Sequence, residues 1–207
     1  MSKKRGALQL SINLIVILII CIVIFTMSIY FTRKLFSSAE KIKFIYDERT
    51  EKEIERILDD GSRVAIPFEN KKIYNGKFET FGIGILNIIN QEEYNNFFIN
   101  VTFNKAYDKR NNLLCTAKDT SGCNIDPNSW LKTREGNKVE IYKKIKNNAQ
   151  EKFLLGVEVK NAKPGTYIFD LKVCVDKKTD IPDKLFRCPN GFYPYDYIQQ
   201  LRVYVPS

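Results

Sequence analysis

No position from Gly6 to Thr32 is charged. Leu14 to Ile20 are apolar without a break, and Ile22 to Phe25 resume after Cys21. Some 20 apolar residues at about 1.5 Å each cross a hydrocarbon core of about 30 Å, so the run predicts a transmembrane helix over 7–32. A cleaved secretory signal has an apolar region of only about 7–15 residues followed by small residues. Here the run is longer and leads into Phe31-Thr32-Arg33-Lys34. Neither Gly nor Pro occurs from Ala7 to Asp60, so no strong breaker interrupts a helix there. Leu35, Ala39, Ile42, Ile45 and Ile57 make a partial stripe at helical spacing, and charges of both signs alternate from Glu40 to Asp60. The pattern predicts one helix of about 50 residues, amphipathic over 33–60 and bent at Ser37-Ser38. Gly61 is its expected cap. Asp59 and Asp60 oppose the dipole of the last turn and predict fraying there.

After Gly61 the period becomes two. Val64, Ile66 and Phe68 alternate, as do Phe97 to Phe103, Phe153 to Val159, Tyr167 to Val175, and Leu201 to Val205. Weaker runs are Ile73-Tyr74, Phe78 to Ile89 and Val139 to Tyr142. Asn75-Gly76, Lys109 to Asn112, Asp126-Pro127-Asn128 and Lys163-Pro164-Gly165 separate them as turns. Alternating strands bury one face each, which favours a two-sheet sandwich over 61–207. In Phe78 to Ile89, Gly82 and Gly84 sit among apolar residues of both parities, which requires burial on two faces or a bulge. The expected fold class is therefore α+β: a long N-terminal helix, then an antiparallel β-sandwich.

The formal charge is +9, and residues 61–207 carry 23 Lys+Arg against 16 Asp+Glu. The lysines are scattered, apart from short clusters such as Lys143-Lys144-Ile145-Lys146. That distribution reads as a solvated surface, and no nucleic-acid partner is expected. Lys3, Lys4 and Arg5 precede the apolar run, while Arg33, Lys34, Lys41 and Lys43 follow it. Flanking charge thus does not set the orientation. Cysteine usage does: Cys21 lies in the run, and Cys115, Cys123, Cys174 and Cys188 lie in the β region. Four cysteines outside the anchor suit two disulfides in an oxidising compartment. The expectation is N-terminus in and β domain out. Four cysteines allow three pairings. Cys174, between Val173 and Val175, points away from the core face of its strand, which favours staples on surface loops. Zinc is disfavoured, because neither spacing is Cys-x2-Cys and the chain has no His.

Lys3-Lys4-Arg5-Gly6-Ala7 stands directly before the apolar helix. This arrangement resembles the class III signal peptides of archaeal pilins and archaellins, where a basic pair and Gly precede the cut. The resemblance covers about residues 3–25. It implies cleavage between Gly6 and Ala7 by a prepilin peptidase, a leader over 1–6, and self-association of the retained helix in a filament. Gln9-Leu10-Ser11-Ile12-Asn13 is similar to the Gln-x-Ser-x-Glu pattern of such pilins, with Asn13 in place of Glu. Lys163 to Leu171 looks like a strand entry of immunoglobulin-like sandwiches, and with Phe153 to Val159 it predicts a hairpin.

Asn100-Val101-Thr102 is a glycosylation sequon on the outward side of its strand. Zero His removes the usual general base near neutral pH, and no nucleophile elbow, P-loop or dinucleotide fingerprint occurs. The chain thus reads as a non-enzymatic, single-pass surface protein without a cofactor. Its partners are the lipid bilayer and other copies of itself, and an uncleaved binding or scaffold module is the alternative.

Overall fold

The computed structural model describes residues 14–31, 47–133 and 140–207. The chain divides into two compact units, Met1–Lys43 and Phe44–Ser207. In the first unit, helix α1 (Leu14–Phe31) is long and apolar enough to cross a membrane. Its 18 residues rise about 27 Å. All its large apolar side chains are exposed among the described residues. The Thr26 hydroxyl donates to the carbonyls of Val23 and Ile22, and the Ser28 hydroxyl donates to that of Ile24. These polar groups are therefore satisfied inside the helix, as an apolar solvent demands.

The second unit opens with helix α2 (Glu48–Asp59). A continuous helix from the membrane run to Asp60 is not found, because Asp47 is extended (φ −75°, ψ 128°). Asp47 occupies the N-cap position, and Glu48 and Glu51 sit in the first turn, where the dipole favours negative charge. The proposed bend at Ser37-Ser38 lies outside the described residues. The expected fraying at Asp59-Asp60 is also corrected. Gly61, at φ +96°, donates to the Leu58 carbonyl, and Ser62 donates to that of Ile57. This closes a Schellman cap. Asp60 lies 3.4 Å from Arg56, and Asp59 accepts from Gln150 at 2.9 Å.

Among the described residues eleven strands follow. One sheet runs β1 (Val64–Ala65), β3 (Phe78–Leu86), β8 (Gln150–Glu158), β6 (Leu131–Thr133). The other runs β2 (Asn70–Lys72), β11 (Gln199–Val205), β9 (Gly165–Val175), β4 (Tyr94–Tyr107), β5 (Leu113–Thr116), with β10 (Tyr193–Pro194) on β9 and β7 (Glu140–Lys146) on β4. Every pairing is antiparallel except β2 with β11. The inward sets meet in one core, with Phe81, Ile83 and Leu155 from the first sheet and Ile99, Val101, Phe169 and Val203 from the second. The α+β class and the antiparallel-rich sandwich are thus those expected from the alternation.

The hairpin expected between Phe153–Val159 and Lys163–Leu171 does not form. β8 pairs with β3 and β6, while β9 pairs with β4 and β11. The connection instead crosses between the sheets, so Leu155 and Phe169 enter one core from different sheets. Asn75 holds the crossover, donating to the Ala162 carbonyl at 2.9 Å and accepting from the Ala162 amide at 2.8 Å. Asn161 takes a left-handed φ of +52° there. The alternation at Val64, Ile66 and Phe68 extends as strand only over Val64–Ala65, since Pro67 lacks an amide to donate. The Ile73-Tyr74 run lies just past β2, although Ile73 itself is buried in the core.

Candidate functional site

Three features of the second unit bear on function: the seat of α2, the disulfides, and an open hollow at one end of the sandwich. The seat resolves the odd pattern of β3, which is buried on both faces. Phe81, Ile83 and Ile85 enter the main core, while Gly82 and Gly84 leave the outer face bare for α2. A Cβ on Gly82 would lie 2.5 Å from Thr50 Cγ2, and one on Gly84 would lie 2.3 Å from Ile54 Cγ2 and 3.0 Å from Leu58 Cδ1. Ile54 and Leu58 are fully buried there with Ala65. Lys152 of β8 reaches up beside the glycines and binds Glu51 at 3.0 Å and also Glu55. Burial pulls the Lys152 pKa down, but its hydrogen bonds to Glu55 and Glu51 outweigh that and raise it. Helix α2 is thus fixed to the sandwich by apolar contact and by a shared cation.

The cysteines pair locally, as Cys115–Cys123 and Cys174–Cys188. They are not the surface staples expected from their polar loops. Cys115 and Cys123 are 4% and 0% exposed and belong to the main core. β5 pairs with the far end of β4, with Cys115 opposite Ala106, which turns the sulfur inward. Cys174 does point away from the main core, as its parity requires. It packs in a separate cluster with Phe98 and Phe186, against Cys188 and Phe192. The 176–192 segment therefore roofs one end of the second sheet, which explains how an outward cysteine is only 1% exposed. Cys21 is free and exposed on α1.

The hollow encloses about 340 Å³ and is walled by Arg63, Ile88, Asn90, Gln91, Lys178 and Tyr195. Tyr195 is fully buried and stands edge-on to Phe97 at 4.9 Å between centroids. Its hydroxyl donates to the Leu86 carbonyl and accepts from the Ile88 amide at 3.2 Å. Desolvation pushes its pKa up to about 12. Arg63 crosses this ring at 5.7 Å and places Nη1 2.6 Å from Asp180 and 3.2 Å from the Tyr195 carbonyl. The hydrogen bond to Arg63 holds the Asp180 carboxyl below its ordinary value, while burial raises that of Asp196. None of these residues stood out in the sequence. Arg63 and Asp180 are 117 positions apart, and no local spacing marks either.

Beneath the hollow lies a buried amide pair. Asn87 donates to Asn95 and to the Ile145 carbonyl, both at 3.0 Å, and accepts from the Ile89 amide at 3.0 Å. Asn100 faces outward from β4, half-buried, opposite Glu140 on β7 and Lys172 on β9. Its Oδ1 is shielded without a hydrogen-bond partner. Gly6 and Ala7, the expected cleavage junction, lie outside the described residues.

No protein-family model matches the chain. No curated protein matches it either. Among solved structures it is similar to the PapD-like domain 7 of human CEP192, at 9% identity over 70% of this chain and 84% of that one, with a TM-score of 0.36. It is also similar to WR4, a C. elegans MSP family member, at 10% identity over 70% and 98%, TM-score 0.35. A chaperone–tip adhesion subunit pre-assembly complex of Acinetobacter baumannii Csu pili aligns at 14% over 70% and 53%, TM-score 0.35. A family 123 glycoside hydrolase from Clostridium perfringens aligns at 11% over 66% of this chain and only 22% of its own, TM-score 0.36. Likeness at these scores carries no argument about function.

Proposed function

We propose that the chain is a non-enzymatic, single-pass surface protein, anchored by α1 with its β-sandwich outside the cytoplasm. The observation that carries this reading is α1 itself, an apolar helix of spanning length, uncovered among the described residues and with its hydroxyls satisfied on its own backbone. The orientation is supported by the cysteines, since all four in the sandwich are paired and the free one lies in α1; structural disulfides belong to oxidising compartments. A non-catalytic role is supported by the absence of histidine from the whole chain. The fixed seat of α2 suits a part that must hold its domain to a membrane. Extraction of native membranes at high pH tests the anchor: the protein stays in the pellet if α1 spans, and release into the supernatant would sink the reading.

A narrower form makes the chain a pilin-like filament subunit, cut between Gly6 and Ala7 by a prepilin peptidase and packed through its N-terminal helix. What favours it is the Lys4-Arg5-Gly6-Ala7 junction placed directly before the apolar run. Mass spectrometry of the native N-terminus decides it. A chain beginning at Ala7 supports the filament, and one beginning at Met1 or Ser2 leaves an uncleaved tether.

A further inference from the structure

We propose that the hollow beside Tyr195 binds a carboxylated sugar residue, which rests on the reading of the sandwich as a displayed surface domain. Thr50 lies against Gly82, and Leu58 lies against Gly84, so α2 and β3 run in the same direction along the sandwich. The chain enters this unit at the Glu48 end of α2. The hollow lies where α2 and β3 both finish, about 18 Å on by the rise of a 12-residue helix. It thus lies at the other end of α2 from Glu48.

Its chemistry selects the ligand. The pair with Asp180 and the Tyr195 carbonyl fix Arg63 through Nη1 alone. Nε and Nη2 make no hydrogen bond among the described residues, which leaves a planar fork of the kind that receives a carboxylate. Lys178 has no ion pair among the described residues. Among the lining residues Asp180 neutralises one of the two cations, which leaves one net positive charge on the wall; Asp196, within electrostatic reach of Arg63, stands outside the lining. Ile88 and Ile89 add an apolar part to the wall, with Ile88 39% exposed, which suits the flat, partly apolar face of a ring. Asn90 and Gln91 offer amides with no side-chain hydrogen bond among the described residues, suited to hydroxyl groups. A volume of about 340 Å³ is at the lower end of the range of about 300–1,000 Å³ usual for ligand pockets, which admits one ring. A phosphate would use the cations and leave the isoleucine wall and amides idle. A neutral sugar would leave the cations idle.

The test titrates the full-length protein in detergent with methyl glucuronide, methyl glucoside, acetate and inorganic phosphate, followed by backbone amide NMR shifts. Methyl glucuronide is expected to shift residues 88–91 and 178–180 with a Kd on the order of 1 mM, with the other three at least tenfold weaker. Lys178→Glu, on an exposed position, and Ile88→Ser should each weaken it at least fivefold with the remaining spectrum unchanged. Equal binding of the glucoside, equal binding of acetate or phosphate, or no shifts at 20-fold the expected Kd would each overturn the proposal. Because binding is read on purified protein, it does not depend on topology. Failure of the surface reading would show separately, as protection of the domain from external protease.

Discussion

Gly84→Ala probes the seat of α2 on the sandwich. The new methyl would sit 2.3 Å from Ile54 Cγ2 and 3.0 Å from Leu58 Cδ1, where carbon atoms rest at about 3.5–4.0 Å. Ile54 cannot swing clear, because a β-branched side chain in a helix has one strongly preferred rotamer. The helix must therefore lift by more than an ångström. Overpacking of this kind costs about 1–3 kcal/mol, and replacing a strand glycine returns about 0.5–1 kcal/mol of backbone entropy. The net loss is about 1–2 kcal/mol, carried by the seat of α2. The assay is hydrogen exchange on the full-length protein in detergent. Amides of α2 should exchange about 5–30-fold faster, while those of β4 and β9 keep their protection. A cycle with Ile54→Ala isolates the contact: in that background Gly84→Ala should be neutral or stabilising. If Gly84→Ala leaves α2 exchange unchanged with Ile54 present, the seat is not as described.

Three further outcomes follow from other parts of the fold. Tyr195 titrates near pH 10 when unfolded and at about 12 when folded. A raised pKa gives stability that is intact below pH 10 and is lost as pH rises toward 12. The loss is up to about 2–3 kcal/mol at 1.36 kcal/mol per unit, and Tyr195→Phe should flatten that limb of a denaturation series. Asn87→Ala strands the Asn95 carbonyl and the Ile89 amide in the interior, and should lower stability by about 2–4 kcal/mol in urea melts. The single Trp130 is 1% exposed, and its indole donates to the Lys160 carbonyl at 3.1 Å. Its emission should therefore be blue-shifted and should red-shift in one step on unfolding, and Trp130→Phe should cost about 1–2 kcal/mol.

The parts of this fold legible in the sequence are those that a single strand or helix determines by itself. β9 alternates over its full length and needed no neighbour to be read. Gly82 and Gly84 pointed to a double-sided strand or a bulge, and did not reveal that a helix covers the second side. The helix break at Asp47 was hidden because no glycine or proline marks it; a cap position and an acidic first turn do that work. β5, β6 and β10 are too short to show a period. The crossover from β8 to β9 mimics a hairpin locally, because a Pro-Gly turn looks the same whether its strands pair or face each other. Cys115 was misplaced for a similar reason: its loop is polar, and only the pairing of β5 with β4 turns it inward. Arg63, Asp180 and Tyr195 meet only through the closed sandwich, so no reading of neighbours in sequence could gather them.

The central claim is that α1 holds the sandwich outside the cytoplasm. Protease treatment of intact cells tests it most directly, with the fragments followed by mass spectrometry under non-reducing conditions. The account predicts release of a fragment that begins between α1 and α2 and carries both Cys115–Cys123 and Cys174–Cys188 intact, with α1 left in the membrane. Full protection of the sandwich until the cells are lysed would contradict it.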